Sequence, residues 1–217
     1  MNRFLASFAA LALAAAALFA GPVAAQAQLQ EGRDFAILNP AQPTDAKGKV
    51  EVVEFFSYAC PHCSDFDPVL DKWIKRLPKD VEVRKVPVTF NRAAWANLAK
   101  IYYALDTLGE TGRLHSKVFE AIHARNIRLE DEKVAMEWLA AQGVDMKKFQ
   151  DAWNAFGIGG RVSQGQAMAV AYKIGGVPTL AVAGKYVVLG KAATTYEDLL
   201  RIADALIVRA RGEGLGK

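Results

Sequence analysis

The chain has two cysteines, Cys60 and Cys63, and Pro61 and His62 lie between them. A structural disulfide usually joins distant segments, because the chain entropy that it removes from the unfolded state grows with loop length. A disulfide across two residues closes almost no loop and adds little stability. The spacing therefore indicates a reactive thiol pair that forms and breaks a disulfide.

Metal and haem binding account poorly for the same pair. A structural zinc site needs about four ligands, but there is no second cysteine pair, and the remaining histidines, His115 and His123, lie eight residues apart. Covalent haem attachment requires a histidine directly after the second cysteine, whereas Ser64 follows Cys63. We therefore expect no metal and no cofactor beyond the disulfide itself.

The elements around the pair predict a lowered thiol pKa. Val50–Phe56 is a short, nearly continuous apolar run, typical of a strand buried on both faces of a sheet, and a helical pattern begins at Cys60-Pro61. Pro61 suits a first helical turn, where its missing N–H is no loss. Free N–H groups and the helix dipole at this position favour a thiolate. We therefore assign Cys60 as the exposed nucleophile.

The next two residues of interest follow within one turn. Cys63 is placed to attack a mixed disulfide formed at Cys60, so we assign it as the resolving thiol. His62 can add positive charge or a hydrogen-bond donor near the Cys60 sulfur.

Two charged residues stand in apolar strands. Glu54 lies inside the strand before the cysteines, and Lys85 shares strand parity with Val81 and Val83, so it can point inward. A buried acid and an inward lysine on a neighbouring strand would need each other. Beneath Cys63, such a pair could relay protons when the thiols change state. The alternative is an ion pair with no redox role.

The first half of the chain predicts a βαβ unit, and the middle predicts helices. A strand at Val81–Val88 follows the helix of the cysteine pair, which gives a parallel pair of strands. From about Ala93 to Phe156 the apolar spacing is helical throughout. Gly157–Gly160 is predicted to join this region to a further helix that ends near Lys173.

Strands return near the end of the chain. Thr179–Ala183 and Tyr186–Leu189 are predicted to form an antiparallel hairpin linked by Gly184-Lys185. A final helix begins near Tyr196, with Thr195 as its N-cap.

The N-terminus predicts secretion. Arg3, an apolar run and then small residues are typical of a signal peptide over residues 1–27, with cleavage after Ala25 or after Ala27. No later segment is apolar enough to span a membrane, so we expect a soluble mature chain. Basic and acidic residues interleave, so the basic stripe that nucleic-acid binding needs is not visible.

The segment Val53–Cys63 resembles the active-site segment of the DsbA family, periplasmic dithiol oxidases of the thioredoxin superfamily. The Cys-Pro-His-Cys sequence, the helical middle of the chain and the closing segment Gly176–Thr179 carry the same resemblance. It implies an α/β thioredoxin fold with an inserted helical domain between the βαβ half and the C-terminal hairpin and helix. Residues 28–92 and 161–217 would form the thioredoxin-like domain and residues 93–160 the insertion.

The resemblance also implies roles for further residues. Val177-Pro178 should be a cis peptide packed against the disulfide, and its loop should offer backbone groups to an extended substrate. Glu54 and Lys85 match the family's buried acid and its lysine partner, and Asp67 stands where a glutamate is common. The apolar positions that match the family's substrate groove are Phe66, Leu70 and Val177.

The function implied is a dithiol oxidase that donates the Cys60–Cys63 disulfide to unfolded or reduced secreted proteins. A DsbB-type membrane quinone reductase would reoxidise the pair, and the enzyme would act as a periplasmic monomer without nucleic-acid partners. Two alternatives stay open. One is a reductase or isomerase on the same fold, and the other is a noncatalytic, redox-dependent binding module.

Overall fold

A computed structural model of the chain describes residues 29–216. The predicted signal peptide and its two cleavage points lie outside the described residues. Among the described residues, none of the helices is both long enough and apolar enough to cross a membrane.

A mixed five-stranded sheet with the order β1-β5-β4-β2-β3 forms the centre of the fold. Its central strand β2 pairs in parallel with β3 and antiparallel with β4, and all seven of its residues are buried. The strands are β1 (Phe35–Ile37), β2 (Val50–Phe56), β3 (Val81–Pro87), β4 (Thr179–Val182) and β5 (Tyr186–Val188).

Seven helices are described around this sheet. They are α1 (Pro61–Lys75), α2 (Ala93–Thr107), α3 (Thr111–His123), α4 (Glu132–Ala141), α5 (Met146–Asn154), α6 (Phe156–Ala171) and α7 (Tyr196–Gly212). The unit β2-α1-β3 is the predicted βαβ unit. Helices α2 to α5 follow β3, and α6 leads back to the β4–β5 hairpin and α7. The sheet and helices form the predicted thioredoxin fold.

The hairpin turn lies one residue earlier than the sequence predicts. Lys185 N donates to Val182 O at 3.1 Å, so Ala183 and Gly184 are the central residues of the turn, with φ of 53° and 65°. The register sets this position, because Val182 pairs with Tyr186. The predicted link at Gly184-Lys185 is therefore wrong by one position.

The predicted joint at Gly157–Gly160 is wrong as well, because these glycines lie inside α6. The low intrinsic helix propensity of glycine disfavours a helix over Gly157–Gly160. Packing at both ends of α6 nevertheless holds these residues in the helix. Ile158 is buried among the other helices, and Ala169 is buried against the sheet. The predicted domain boundary at residue 160 therefore falls within one continuous helix, and the division into two domains stays a prediction.

Three buried clusters form the core. One joins the segment around the cysteines to helices α2 to α5, and includes Phe56, Tyr58 and Phe119. A second fills the space between the sheet, α1 and α7, and a third lies between the opposite face of the sheet and α6. The first cluster contains both cysteines, so the helices that follow β3 form one wall of the reactive site.

Candidate active site

Cys60 is the N-cap of α1, at the point where the chain leaves β2. Its backbone is extended (φ −94°, ψ 116°), and Pro61 occupies the first turn, as predicted. Cys60 N donates to Ser57 O at 3.0 Å, and the N–H groups of Cys63 and Ser64 donate to Cys60 O. Both cysteines are free thiols.

The two thiols differ in accessibility. Cys60 is 8% exposed and Cys63 is completely buried, so only the Cys60 sulfur offers a surface to a substrate. That surface is smaller than the predicted exposed nucleophile implies. Pro61 and His62 between them are exposed.

The environment separates the pKa values of the pair. A hydrogen bond from the Cys63 thiol, the N–H groups of Cys63 and His62 and the charge of His62 outweigh burial, and lower the pKa of Cys60 from 9.0 to about 6. Burial, together with the hydrogen bond to Cys60, raises the pKa of Cys63 far above its usual range. At neutral pH the reduced site therefore holds a thiolate at Cys60 and a thiol at Cys63.

A loop from the other half of the fold faces the Cys60 sulfur. Val177-Pro178 is a cis peptide, and Cys60 Sγ lies 3.3 Å from Val177 O, within reach of a hydrogen bond when Cys60 is protonated. Val177 and Pro178 are partly exposed beside the sulfur. The peptide geometry and the placement that the family resemblance implies are both present.

A cavity of about 460 Å³ extends from this loop toward α7. Phe66, Pro178, Tyr196 and Leu199 are among its lining residues. Phe66 and Leu70 are both completely buried in the cluster beneath α1. Phe66 nevertheless lines the cavity beside Pro178, whereas Leu70 is not among its lining residues. Contact of these two side chains with a substrate stays a prediction. Val177 keeps an accessible surface.

The predicted pair of Glu54 and Lys85 is present. Lys85 Nζ lies 2.8 Å from Glu54 Oε2 and 3.3 Å from Asp67 Oδ1, so one ammonium group bridges two carboxylates. Burial opposes the charge on Lys85, but the charges of Glu54 and Asp67 prevail and raise its pKa. The charge of Glu54 also contributes to the raised pKa of Cys63. Proton relay by this group stays a prediction.

Asp67 makes more contacts than the sequence suggests. Ser116 Oγ donates to its Oδ2 at 2.6 Å, and His115 Nε2 lies 3.2 Å from its Oδ1. Burial raises the pKa of Asp67, but the contacts with His115, Lys85 and Ser116 outweigh it and hold the pKa well below its usual range. Asp67 is therefore a buried carboxylate anion.

Sequence reasoning missed the side of the site that α3 forms. His115 Nδ1 lies 2.7 Å from Tyr58 Oη, and His123 Nε2 donates to Tyr58 O at 2.8 Å. Phe119 packs on the Tyr58 ring at 4.9 Å. The available signal was the four-residue spacing of His115, Phe119 and His123, which places them on one helix face.

Across residues 29–216, no group of three or more histidine, cysteine, aspartate or glutamate side chains could hold a metal ion.

A thiolate at the start of the first helix of a βαβ unit, a buried partner thiol and a cis-proline loop facing them define a thioredoxin-type dithiol site. Residues 51–201 match the family model described as a DSBA-like thioredoxin domain. The thiol:disulfide interchange protein DsbA of Bordetella parapertussis is 41% identical over 204 residues, which cover 94% of this chain and 95% of that protein. DsbA of Pseudomonas aeruginosa is 37% identical over 200 residues, which cover 92% of this chain and 93% of that protein.

Solved structures agree with these relatives. The crystal structure of Pseudomonas aeruginosa DsbA has a TM-score of 0.81 at 34% identity and covers 86% of this chain and 96% of that chain. An oxidoreductase of Neisseria meningitidis, NmDsbA1, has a TM-score of 0.77 at 31% identity and covers 87% of this chain and 97% of that one. The chain belongs to the DSBA-like thioredoxin family, and it is an enzyme, a protein thiol–disulfide oxidoreductase.

Proposed function

We propose that the enzyme works as a dithiol oxidase, which donates the Cys60–Cys63 disulfide to reduced secreted proteins. The observation that carries this proposal is the position of Cys60 at the start of α1, beside the buried Cys63 thiol, which lowers the pKa of Cys60 to about 6. A group that stabilises the thiolate stabilises the reduced form, and a stabilised reduced form makes the corresponding disulfide a stronger oxidant.

The reaction consists of two thiolate attacks. A substrate thiolate attacks the Cys60 sulfur, the Cys60–Cys63 bond breaks, and Cys63 leaves as a thiolate and takes up a proton. A second substrate thiolate then attacks the substrate sulfur of this mixed disulfide, and Cys60 leaves as a thiolate. The substrate loses two electrons and two thiol protons. One proton stays on Cys63 and the other enters the solvent.

Glu54 and Lys85 have a role in the first step. Cys63 gains its proton in a buried position, and the Glu54 carboxylate close to it is hydrogen-bonded to Lys85 at 2.8 Å. We propose that this pair, with Asp67, passes the proton between Cys63 and solvent.

Substrate recognition would use the loop that contains Val177 and Pro178. Its backbone lies beside the Cys60 sulfur, so an extended substrate segment could pair with it as an added strand. Such backbone pairing is independent of sequence, which suits an enzyme for many unfolded chains.

Location and partners follow from the same proposal. The predicted signal peptide directs the chain to the periplasm, where disulfides persist. A DsbB-type membrane quinone reductase would remove two electrons from the reduced pair and restore the disulfide. The enzyme would act as a monomer and need no cofactor beyond that disulfide.

The first test is the equilibrium of the Cys60–Cys63 pair with defined ratios of reduced and oxidised glutathione, followed by acid quenching and alkylation. An oxidase should have its cysteines reduced even where glutathione is largely oxidised. A disulfide that persists in strongly reducing buffer would contradict the oxidase direction and favour a reductase.

A second test separates catalysis from binding. Replacing Cys60 with Ser should abolish disulfide formation in a reduced, unfolded model substrate. A Cys60→Ser variant that keeps full function in secreted-protein folding would support the noncatalytic binding module instead.

A further inference from the structure

The buried charges beneath the cysteines do not balance among the predicted residues. The side chains of Glu54 and Asp67 are 1% and 3% exposed, and Lys85 is the ammonium group between them. Two carboxylates and one ammonium leave a net negative charge, and an uncompensated buried charge is costly. Neutrality requires either a proton on one carboxylate or a second cation.

His115 is placed to be that cation. It is 7% exposed, and its Nε2 lies at ion-pair distance, 3.2 Å, from Asp67 Oδ1. This nitrogen is buried and makes no hydrogen bond within residues 29–216, so its contact with Asp67 is one of ion-pair distance alone. The other ring nitrogen faces Tyr58 Oη at 2.7 Å. An imidazolium carries N–H on both nitrogens and so can donate toward both oxygens.

The other charged groups around His115 also leave a net negative charge beside its ring. It lines a cavity of about 340 Å³, and the carboxylates in that lining outnumber the guanidinium group and the Lys85 ammonium. Aromatic rings also surround the imidazole, with Phe56 of β2 at 5.1 Å and Tyr102 of α2 at 5.8 Å. The charged lining residues other than Lys85 are Asp71, Glu82, Arg84 and Asp106.

We propose that His115 is a positioning residue of the thiol–disulfide reaction: as a cation held between Asp67 and Tyr58, it neutralises the buried carboxylates and thereby favours the thiolate. A negative charge near a thiolate disfavours it, and removing that charge does the reverse. Tyr58 lies two residues before Cys60 in the sequence, and its ring belongs to the same buried cluster as both cysteines. The role deepens the proposed function and rests on it for the identity of the reacting pair.

The decisive variant is His115→Gln, which removes the cation and keeps a side chain of similar length. The site then carries a net negative charge, so the glutathione equilibrium should shift about three- to tenfold toward the disulfide. The matched control is Lys117→Gln, which removes an exposed cation of the same helix and should stay within twofold of the wild type. An equally unchanged His115→Gln would overturn the proposal.

Two further variants separate charge from structure. In His115→Gln combined with Asp67→Asn, the carboxylate that His115 neutralises is gone, so the equilibrium should return to within about threefold of the wild type. A merely structural role would leave the double variant shifted at least as far as His115→Gln alone. Tyr58→Phe keeps the cation and should have little effect. A shift as large as that of His115→Gln would assign the role to the hydroxyl and contradict the charge argument.

A measurement on the unmodified enzyme covers the case in which His115→Gln does not fold. The ¹⁵N chemical shifts of the imidazole should show protons on both nitrogens of His115 at pH 7, and a neutral ring there would overturn the proposal. The proposed oxidase function is judged by the wild-type equilibrium itself, whereas His115 is judged by the ratio of variant to wild type. Failure of one is therefore distinguishable from failure of the other.

Discussion

Cys60 and Cys63 are one helical turn apart, yet their surroundings move their pKa values in opposite directions. The largest favourable contribution at Cys60 is the hydrogen bond from the Cys63 thiol, whereas the charge of His62 is a smaller one. The low pKa is therefore a property of the pair and its helix N-terminus more than of the intervening histidine.

This order of contributions gives the first prediction. Titration of the reduced enzyme by thiolate absorbance should give a midpoint near pH 6 for Cys60. Cys63→Ala should raise that midpoint more than His62→Ala does, because it removes the hydrogen bond to the thiolate. Cys60→Ser, which should abolish the transition, is the control. A larger effect of His62→Ala would contradict this account.

The same shift makes the stability of the reduced enzyme depend on pH. The pKa of Cys60 is about 6 in the folded enzyme against an ordinary value of 9.0. A lowered folded-state pKa stabilises the fold fully above pH 9, and the stabilisation is lost as the pH falls through 6. Between pH 6 and pH 8 Cys63 contributes little, because its thiol is neutral in the folded enzyme and nearly neutral in the unfolded chain, where its pKa is 9.0. Above pH 9 its raised pKa costs stability.

The second prediction is therefore that the dithiol form gains stability relative to the disulfide form between pH 6 and pH 8. The gain should be about 1–2 kcal/mol after solvent screening is allowed for. Urea unfolding of both forms across this range measures it. A constant difference between the two forms would contradict the lowered pKa.

At the scale of elements, helix α6 shows where local propensity and tertiary packing compete. Its first turns contain exposed glycines, and a Cβ at Gly160 would meet nothing within 4 Å. Gly165 in the same helix is buried, and a Cβ there would lie 2.8 Å from Pro87 O and 2.8 Å from Tyr103 Oη. The two glycines thus occupy the same element for different reasons.

The third prediction uses this contrast. Gly160→Ala should stabilise the enzyme by about 0.5–1 kcal/mol, because alanine loses less backbone entropy in a helix. Gly165→Ala should destabilise it by about 1–3 kcal/mol, because the added Cβ would clash with Pro87 O of β3 and Tyr103 Oη of α2, so that these elements would have to move apart. The free energy of unfolding in urea compares them, and equal effects of the two substitutions would refute the packing argument.

The same competition explains which elements could be predicted from the sequence. β2, α1 and the start of α7 carry strong local signals, an apolar run, Pro61 and the Thr195–Asp198 capping box, and all three are present. The glycine run at the start of α6 gave the wrong signal, because contacts far along the chain decide its conformation. The three-residue strand β1 is too short to leave a periodic pattern.

For the whole molecule, the decisive contacts join segments far apart in sequence. The reactive cysteines and the inward direction of Lys85 could be predicted from the sequence, because the Cys-x-x-Cys spacing and the alternation along a strand are local patterns. The contact of Tyr58 with His115 spans 57 residues, and no local pattern indicates which face of α3 meets the active-site turn. The helices that follow β3 are therefore part of the active site, because they bury the turn that leads into Cys60.

The junction between the sheet and these helices depends on one side chain of α6. Gln166 Oε1 accepts from Thr89 N, from Thr89 Oγ1 and from Phe90 N, at 3.2, 3.1 and 2.8 Å. These bonds hold the turn from β3 to α2, in which Phe90 and Asn91 have positive φ values of 44° and 59°. Neither residue is glycine, so this backbone conformation needs support from its surroundings.

The fourth prediction follows from the acceptor at that junction. Gln166→Leu should cost about 2–3 kcal/mol, because it leaves partly buried N–H donors without a partner. Gln166→Glu keeps an oxygen in place and should cost less than about 1 kcal/mol, since a carboxylate accepts from the same donors. Urea unfolding gives both values, and hydrogen exchange should show a faster Phe90 amide in the leucine variant alone. If the two variants lose equal stability, the junction depends on packing of the side chain rather than on its oxygen. The loss should leave the titration of Cys60 unchanged, because Gln166 contacts the turn from β3 to α2 and not the His115 and Tyr58 side chains near the thiols.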